Sequence, residues 1–237
     1  MSMPMSGDPS IENVISVALE VFGRNGFEDT RLDVIAQESG MSKRMIHYHF
    51  GDKKGLYTRA VQMAIEQLRP TPDHMITDTI VPAEGIQAVV EVIFDQMARH
   101  PKALRLLTME NLLNDIPMLS ANPLADQSSI LLQTDRILML GQDAGAFRPG
   151  ISALDVYALI TSMCVLRLAS RGTFQNLYGT DLQNERNTEG LKRLTVDAVL
   201  SFLTANLPPD GNMSYLQGEY KQDPIPAMYE PDEIYDQ

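Results

Sequence analysis

The 237-residue chain has no tryptophan, a single cysteine and only 6% aromatic residues. With so few rings, its core must be filled by aliphatic side chains and by some of its 14 methionines. One cysteine, Cys164, excludes an internal disulfide framework and fits a reducing cytosol. No apolar run reaches the roughly 18 residues that mark a membrane span. The opening MSMPMSGDPS has neither the basic start nor the apolar stretch of a signal peptide, so a cytoplasmic protein is expected. Catalytic patterns are missing as well: there is no Gly-rich phosphate loop, no Gly-x-Ser-x-Gly and no pair of Glu-x-x-His helices. His47 and His49 are two apart and fall on different helix faces, while His74 and His100 are isolated. Cys164 sits in an apolar helix and reads as a core residue. The expectation is therefore no enzyme, no metal and no cofactor.

Positive charge is also in deficit. The chain carries 19 Lys/Arg against 31 Asp/Glu, a net charge of −12. Its distribution is uneven: residues 1–70 hold 8 Lys/Arg against 9 Asp/Glu, and residues 71–237 hold 11 against 22. Within the balanced part, Lys43, Arg44, Lys53 and Lys54 lie close together, the local basic patch that phosphate contact requires.

That patch lies in the stretch Thr30–Tyr57, TRLDVIAQESGMSKRMIHYHFGDKKGLY. Thr30 and Asp33 form a capping signal, and Leu32, Ile35 and Ala36 share one helical face. Gly40 ends this first short helix, and Met41 is placed to plug the corner. Ser42 is the next N-cap, so Lys43–Phe50 form a second helix, and Asp52 caps a third. This is the layout of a helix-turn-helix, whose second helix enters the DNA major groove.

The run IAQESGMSKRMIHYHFGDKKGL resembles the DNA-binding segment of the TetR (tetracycline-repressor) family. The resemblance rests on Ile35, Ala36, Gly40, Met41, Ser42, Ile46, His47, Tyr48, His49, Phe50, Lys53 and Leu56. Met41 stands where valine is more usual, and His47-Tyr48-His49-Phe50 replaces the commoner Tyr-x-Tyr-Phe. It covers roughly residues 10 to 60. Lys43, Arg44 and Met45 project from the start of the reading helix, where Arg or Lys donates to guanine and a methionine touches a thymine methyl. Tyr48, one turn on, reaches a phosphate or sugar, and Lys53 with the amides around it forms a phosphate clamp. Thr30 and Arg31 would hold the other side of the groove. The resemblance implies DNA contact at these positions; Ser42, His47 and His49 complete the candidate set, the two histidines equally open to structural packing. Ile46 and Phe50 read as core.

Before this stretch, Asp8-Pro9 reads as a helix entry, with Ile11, Val14, Ile15, Ala18, Leu19 and Phe22 in helical register and Asn25-Gly26 as its close. After it, the third helix continues through Leu56, Ala60, Ala64 and Leu68 to Pro70, about 25 Å long. Residues 70–82, with three prolines, mark an internal boundary. Beyond it come a stripe of Ile86, Val89, Val90, Ile93, Phe94 and Met97, a helix at 102–114 read as buried on several faces, and a helix at 123–144. Ser152 and Asp155 form a capping box for a helix to about Arg171; a turn-rich loop, FQNLYGTDLQN, follows. The last helix carries Leu191, Leu194, Thr195, Ala198, Val199 and Phe202. The fold expected is all-α with about nine helices: residues 1–52 a DNA-binding head, 53–69 a connector, 70–207 a ligand-binding and dimerisation region, and 208–237 an acidic tail. That tail has five prolines, seven acidic residues and four tyrosines, and part of it is expected to lie along the folded body.

For the second region the resemblance implies a small-molecule pocket and a homodimer interface, the latter through the last two long helices. Candidate pocket residues are Phe94, Met97, Leu104, Thr108, Asn111, Arg136, Met139 and Arg167. A buried arginine there would point to an anionic ligand such as a carboxylate; the expectation is that Arg136 and Arg167 lie on the surface beside acidic neighbours. The implied function is a transcriptional regulator that binds an operator as a dimer and answers to a small-molecule effector. A helical interaction or metabolite-binding protein without specific DNA binding stays open as the alternative.

Overall fold

The computed structural model describes residues 10–71, 79–113, 129–206 and 214–216. Among the described residues the chain is all-α, with ten helices and no strand: α1 (Ile11–Asp29), α2 (Leu32–Ser39), α3 (Lys43–Phe50), α4 (Lys53–Leu68), α5 (Pro82–Arg99), α6 (Pro101–Leu113), α7 (Ser129–Asp143), α8 (Ala153–Ala169), α9 (Arg171–Tyr178) and α10 (Glu185–Thr204). The helix beyond the expected nine is α9, which occupies part of the segment read as a loop. It buries none of its residues, so no apolar stripe announced it. Gly179, in the left-handed region at φ 65°, ends α9, and Arg171 clasps Asp181 just past that end at 2.9 Å. None of these described helices is by itself long and apolar enough to cross a membrane.

Asp8 and Pro9 lie outside the described residues. The N-cap of α1 is Ser10, whose hydroxyl accepts from the Asn13 amide at 3.1 Å. Val14, Ile15, Ala18, Leu19 and Phe22 are buried as the register predicts, but Ile11 is exposed. Gly26 breaks α1 with φ 78° and ψ 175°, and one further turn runs on to Asp29. The break changes the role of Thr30. Its side chain turns back, is buried, and donates from its hydroxyl to the Gly26 carbonyl at 2.7 Å. The N-cap of α2 is instead Arg31, without a side-chain capping bond.

α1 packs against α4, α2 and also α6, and α4 lies on α6 as well. The head is thus seated on the second region through two helices rather than reached by the connector alone. Lys102 on α6 pairs with Glu20 on α1 at 2.6 Å across this contact. α5 runs through the middle of the second region, touching α7, α8 and α10. Its stripe Ile86, Val89, Val90, Ile93, Phe94 and Met97 is fully inside, each large side chain contributing about 1.5–3 kcal/mol by leaving water. α6 is less enclosed than its composition suggests: Leu104 and Leu106 are buried, but Leu112 and Leu113 are exposed. Likewise α7 buries Ile130, Ile137 and Leu138 and exposes Leu132, Met139 and Leu140. On α10 the inward line is Thr195, Val196, Val199 and Leu203, and Leu194 faces out.

The capping box on α8 is formed: Asp155 accepts from the Ser152 amide at 2.9 Å and donates its own amide to the Ser152 hydroxyl at 3.3 Å. Ile151 and Val156 are both buried beside it. The same carboxylate holds a piece of the tail. It accepts from the Leu216 amide at 2.8 Å, the Ser214 hydroxyl at 3.1 Å and the Tyr215 amide at 3.3 Å. Arg148 lies over the rings of Phe202 and Tyr215. The expectation that part of the tail lies along the body therefore holds for Ser214–Leu216; its remaining residues are outside those described. Burial pushes the Asp155 carboxyl up, but the donors from Ser152, Leu216 and Ser214 outweigh it and leave the carboxyl below its ordinary value. A lowered folded pKa gives stabilisation that is complete above the unfolded value, about 3.9, and that disappears as pH falls through the lower folded value. Asp155→Asn is expected to cost about 1–2 kcal/mol at neutral pH. In urea titrations over a pH series, the gap between the two proteins should shrink below the unfolded value; a gap independent of pH would contradict the assignment.

Candidate nucleic-acid interface

α2 and α3 meet at Gly40, which adopts φ 76° and ψ 0°, a left-handed turn open to glycine at little cost. Met41 fills the corner and is buried. Ser42 caps α3 by accepting from the Met45 amide at 3.3 Å, and Asp52 caps α4 by accepting from the Gly55 amide at 2.7 Å. α3 is anchored by Ile46, fully buried, and by half-buried Phe50. Lys43, Arg44, Met45, His47, Tyr48 and His49 all point outward. Tyr48 is 79% exposed and Met45 42%. A helix held by one edge with its other side chains in solvent is shaped to enter a groove.

The charges on this face are not equally free. Asp33 accepts from Lys43 at 2.6 Å and pairs with Arg31 at 3.4 Å. The Lys43 hydrogen bond holds its carboxyl below the ordinary range. Lys53 is turned inward: its ammonium donates to the Glu28 carbonyl at 2.9 Å and stands 4.5 Å over the Phe27 ring. Its side chain is engaged with the end of α1, beside the opening amides of α4. Arg44 makes no ion pair or hydrogen bond with its side chain among the described residues, and neither does the ammonium of Lys54. Sequence alone placed Lys54 in the basic patch without giving it a contact of its own; what sets it apart is the capture of its neighbour by Phe27, a contact 26 positions away. Thr30 offers no hydroxyl to a groove, since it is buried. The His47 ring donates from Nδ1 to the Gly51 carbonyl at 2.9 Å, closing the end of α3. The His49 ring packs edge-on to Tyr48 and Phe50.

In the second region the eight candidate pocket residues do not converge. Phe94, Met97 and Leu104 are core. Asn111, Arg136 and Met139 face solvent. Thr108 lines a cavity of about 470 Å³ with Arg105, Met109, Leu112 and Leu168. Arg167 lines another of about 620 Å³ between α5, α8 and the start of α10. Gln183 borders both. The expected surface position holds for Arg136 and fails for Arg167, which is only 8% exposed. α8 is apolar around most of its circumference, so its periodicity did not reveal that Arg167 shares the inward line with Ile160 and Cys164. Burial pushes the Cys164 thiol up to about 12, as expected of an unreactive core cysteine. Among the described residues no three His, Cys, Asp or Glu side chains gather as a metal site.

Residues 14–60 match the model for bacterial regulatory proteins of the tetR family, and residues 82–199 match the tetracyclin repressor-like C-terminal domain. The chain belongs to the TetR family. It is 26% identical over 180 residues to the HTH-type transcriptional repressor NicS of Pseudomonas putida, covering 76% of this chain and 85% of NicS. It is 27% identical over 136 residues to the HTH-type transcriptional regulator RutR of Escherichia coli, covering 57% of this chain and 63% of RutR. Among solved structures, FadR of Bacillus subtilis in complex with stearoyl-CoA superposes with a TM-score of 0.59 at 17% identity, over 82% of this chain and all of that one. HlyIIR, a hemolysin II transcriptional regulator, does so with a TM-score of 0.54 at 21% identity, over 81% and 96%. At these identities the structures speak for the fold. As a TetR-family member the protein is a DNA-binding transcriptional regulator.

In this TetR-family chain a continuous set of contacts joins the reading head to the second region. Lys53 rests on Phe27; Phe27 meets Tyr57 edge-on at 5.0 Å; and Phe22 meets Tyr57 at 4.9 Å. The buried Tyr57 hydroxyl then donates to the buried carboxylate of Glu110 on α6. Two flanking α6 residues, Thr108 and Met109, line the 470 Å³ cavity. Glu110 is not among the eight candidate pocket residues; its burial follows from the contact with Tyr57, 53 positions away in sequence.

Proposed function

We propose that this regulator is a cytoplasmic repressor that binds a roughly palindromic operator as a homodimer and releases it on binding a small-molecule effector in residues 70–207. The observation that carries the reading is α3 itself: a capped helix anchored by Ile46, with Arg44, Met45 and Tyr48 free to enter a groove. In a dimer each α3 occupies one half-site, with half-sites one turn apart separated by about 34 Å. The dimer reading is supported by the outward apolar surface of the last two long helices, where Leu166 on α8 and Leu194 on α10 are exposed in the single chain and suit a four-helix bundle. An effector releases DNA only if it binds the two head separations with different affinity.

Arg44 is assigned to base edges, and Lys54 with the α4 amides to phosphate. Arg44→Ala should weaken operator binding by about 1–3 kcal/mol and relax discrimination at one base pair of each half-site. Lys54→Ala should weaken all duplexes alike and lower the slope of log affinity against log salt by about one. Titrations of operator and scrambled duplex over a salt series separate the two. Equal loss on both duplexes for Arg44→Ala would remove it from the readout, and salt-independent binding by the unaltered protein would favour the protein-interaction alternative.

A further inference from the structure

The side chain of Arg167 is a buried charge held by a single hydrogen bond among the described residues. It is 92% removed from solvent, and its Nε donates to the Thr188 hydroxyl at 3.1 Å. Its two terminal nitrogens have no partner among the described residues. The carboxylate whose field it feels, Asp181, is already held by Arg171 in a two-bond clasp at 2.9 Å. A buried cation without an ion pair costs several kcal/mol of hydration unless something completes it. The residue also borders the 620 Å³ cavity described above, within the range of small-molecule sites.

The surroundings of that cavity favour a negative guest. Two further arginines, Arg99 and Arg186, stand on its wall. Of the three carboxylates there, Asp95 and Glu189 are both engaged by Lys192, at 3.2 and 3.0 Å. Only Glu185 is without such a partner among the described residues. Three guanidinium groups thus face one uncommitted carboxylate, on a protein whose net charge is −12. Because Thr188 occupies Nε, the remaining edge of the Arg167 guanidinium presents Nη1 and Nη2, a two-donor fork that matches one oxyanion group.

We propose that the cavity between α5, α8 and α10 binds a small organic molecule through a carboxylate or phosphate head seated on Arg167, with Arg99 and Arg186 as flanking charges. The cavity is much larger than an inorganic ion, so the anionic head belongs to a larger organic body. The assignment of this molecule as the effector rests on the regulator reading above; the binding site itself does not. The guest supplies the negative charge that the fold withholds from Arg167, so binding stabilises the chain.

The test uses the full chain without DNA and four probes at millimolar concentration and matched ionic strength: benzoate, phenyl phosphate, and the neutral benzamide and benzyl alcohol. Benzoate or phenyl phosphate should raise the melting temperature and the neutral probes should not; which anion acts more strongly names the head group. Arg167→Met should weaken the effective anion roughly 10- to 100-fold while raising the melting temperature of the unliganded protein, because a buried unpaired charge has been removed. Arg167→Lys, which keeps the charge and loses the fork, should fall between. Retained operator binding shows that the variants are folded. No response of the unaltered protein to either anion, or the same response in Arg167→Met, overturns the site. Anion binding that leaves operator affinity unchanged upholds the site and removes its ligand from the regulator reading.

Discussion

Gly55→Ala should abolish specific DNA binding and lower the melting temperature markedly. Gly55 lies in the first turn of α4, directly under the end of the reading helix. A Cβ there would stand 2.0 Å from the carbonyl oxygen of Phe50 and 3.2 Å from its carbon. The obstructing atoms are backbone, and they belong to the last residue of α3, so no side chain can swing aside. That same carbonyl accepts the Asp52 amide at 3.0 Å, and the Gly55 amide is held by the Asp52 carboxylate. The methyl must therefore push α3 away from α4 or unwind the cap. Overpacking of this kind costs about 1–3 kcal/mol or more, a fall of roughly 2–4 °C per kcal/mol in a chain of this size. The loss of operator affinity should exceed the loss of stability, because displacing α3 moves every groove-facing side chain together. Thermal unfolding and operator titration on the same preparation give both numbers. An alanine variant with unchanged operator affinity would show that the α3–α4 junction has room that the geometry denies it.

The second large effect is expected at Tyr57. Its hydroxyl donates to Glu110, and both side chains are almost fully buried. Tyr57→Phe keeps the ring contacts with Phe22 and Phe27 and removes the donor, leaving a buried carboxylate short of one charge-assisted bond. The expected loss is about 1.5–3 kcal/mol. Glu110→Gln, which still accepts from the tyrosine, should lose less. The double variant should lose less than the sum of the singles, since the two groups act as one. This bond is the polar link between the connector helix and the helix lining the 470 Å³ cavity, so Tyr57→Phe should also shrink any effect of a second-region ligand on operator affinity. Urea unfolding of the four proteins measures the coupling; strictly additive losses would mean that the bond carries no energy of its own.

The reading head was legible because its geometry is written in residues close together in the chain. Gly40 takes the left-handed turn, Ser42 and Asp52 supply the caps, and Ile46, with Phe50 one turn on, anchors an otherwise outward-facing helix. Each is a local decision, made by a residue for its own next turn. The same holds for the Ser152–Asp155 box. What could not be read locally was which partners the chain brings from afar. Gly26 kinks α1 and sends the Thr30 hydroxyl inward, so a residue that looks like a cap becomes part of the interior. Phe27 and Glu28 hold the Lys53 ammonium, and Asp33 draws on both Lys43 and Arg31. Leu112, Met139 and Leu194 sit in apolar runs and yet face out, because hydrophobic composition does not say how many sides of a helix are covered.

The sequence by itself thus determined the all-α class, the helix-turn-helix and the position of its reading helix, since helix ends and turns follow from backbone chemistry within a few residues. Tertiary structure alone decided which charges are spent and which are available. It left Arg44 free on α3, buried Arg167 on α8, and tied Tyr57 on α4 to Glu110 on α6, because burial and ion pairing depend on residues distant in sequence and close in space.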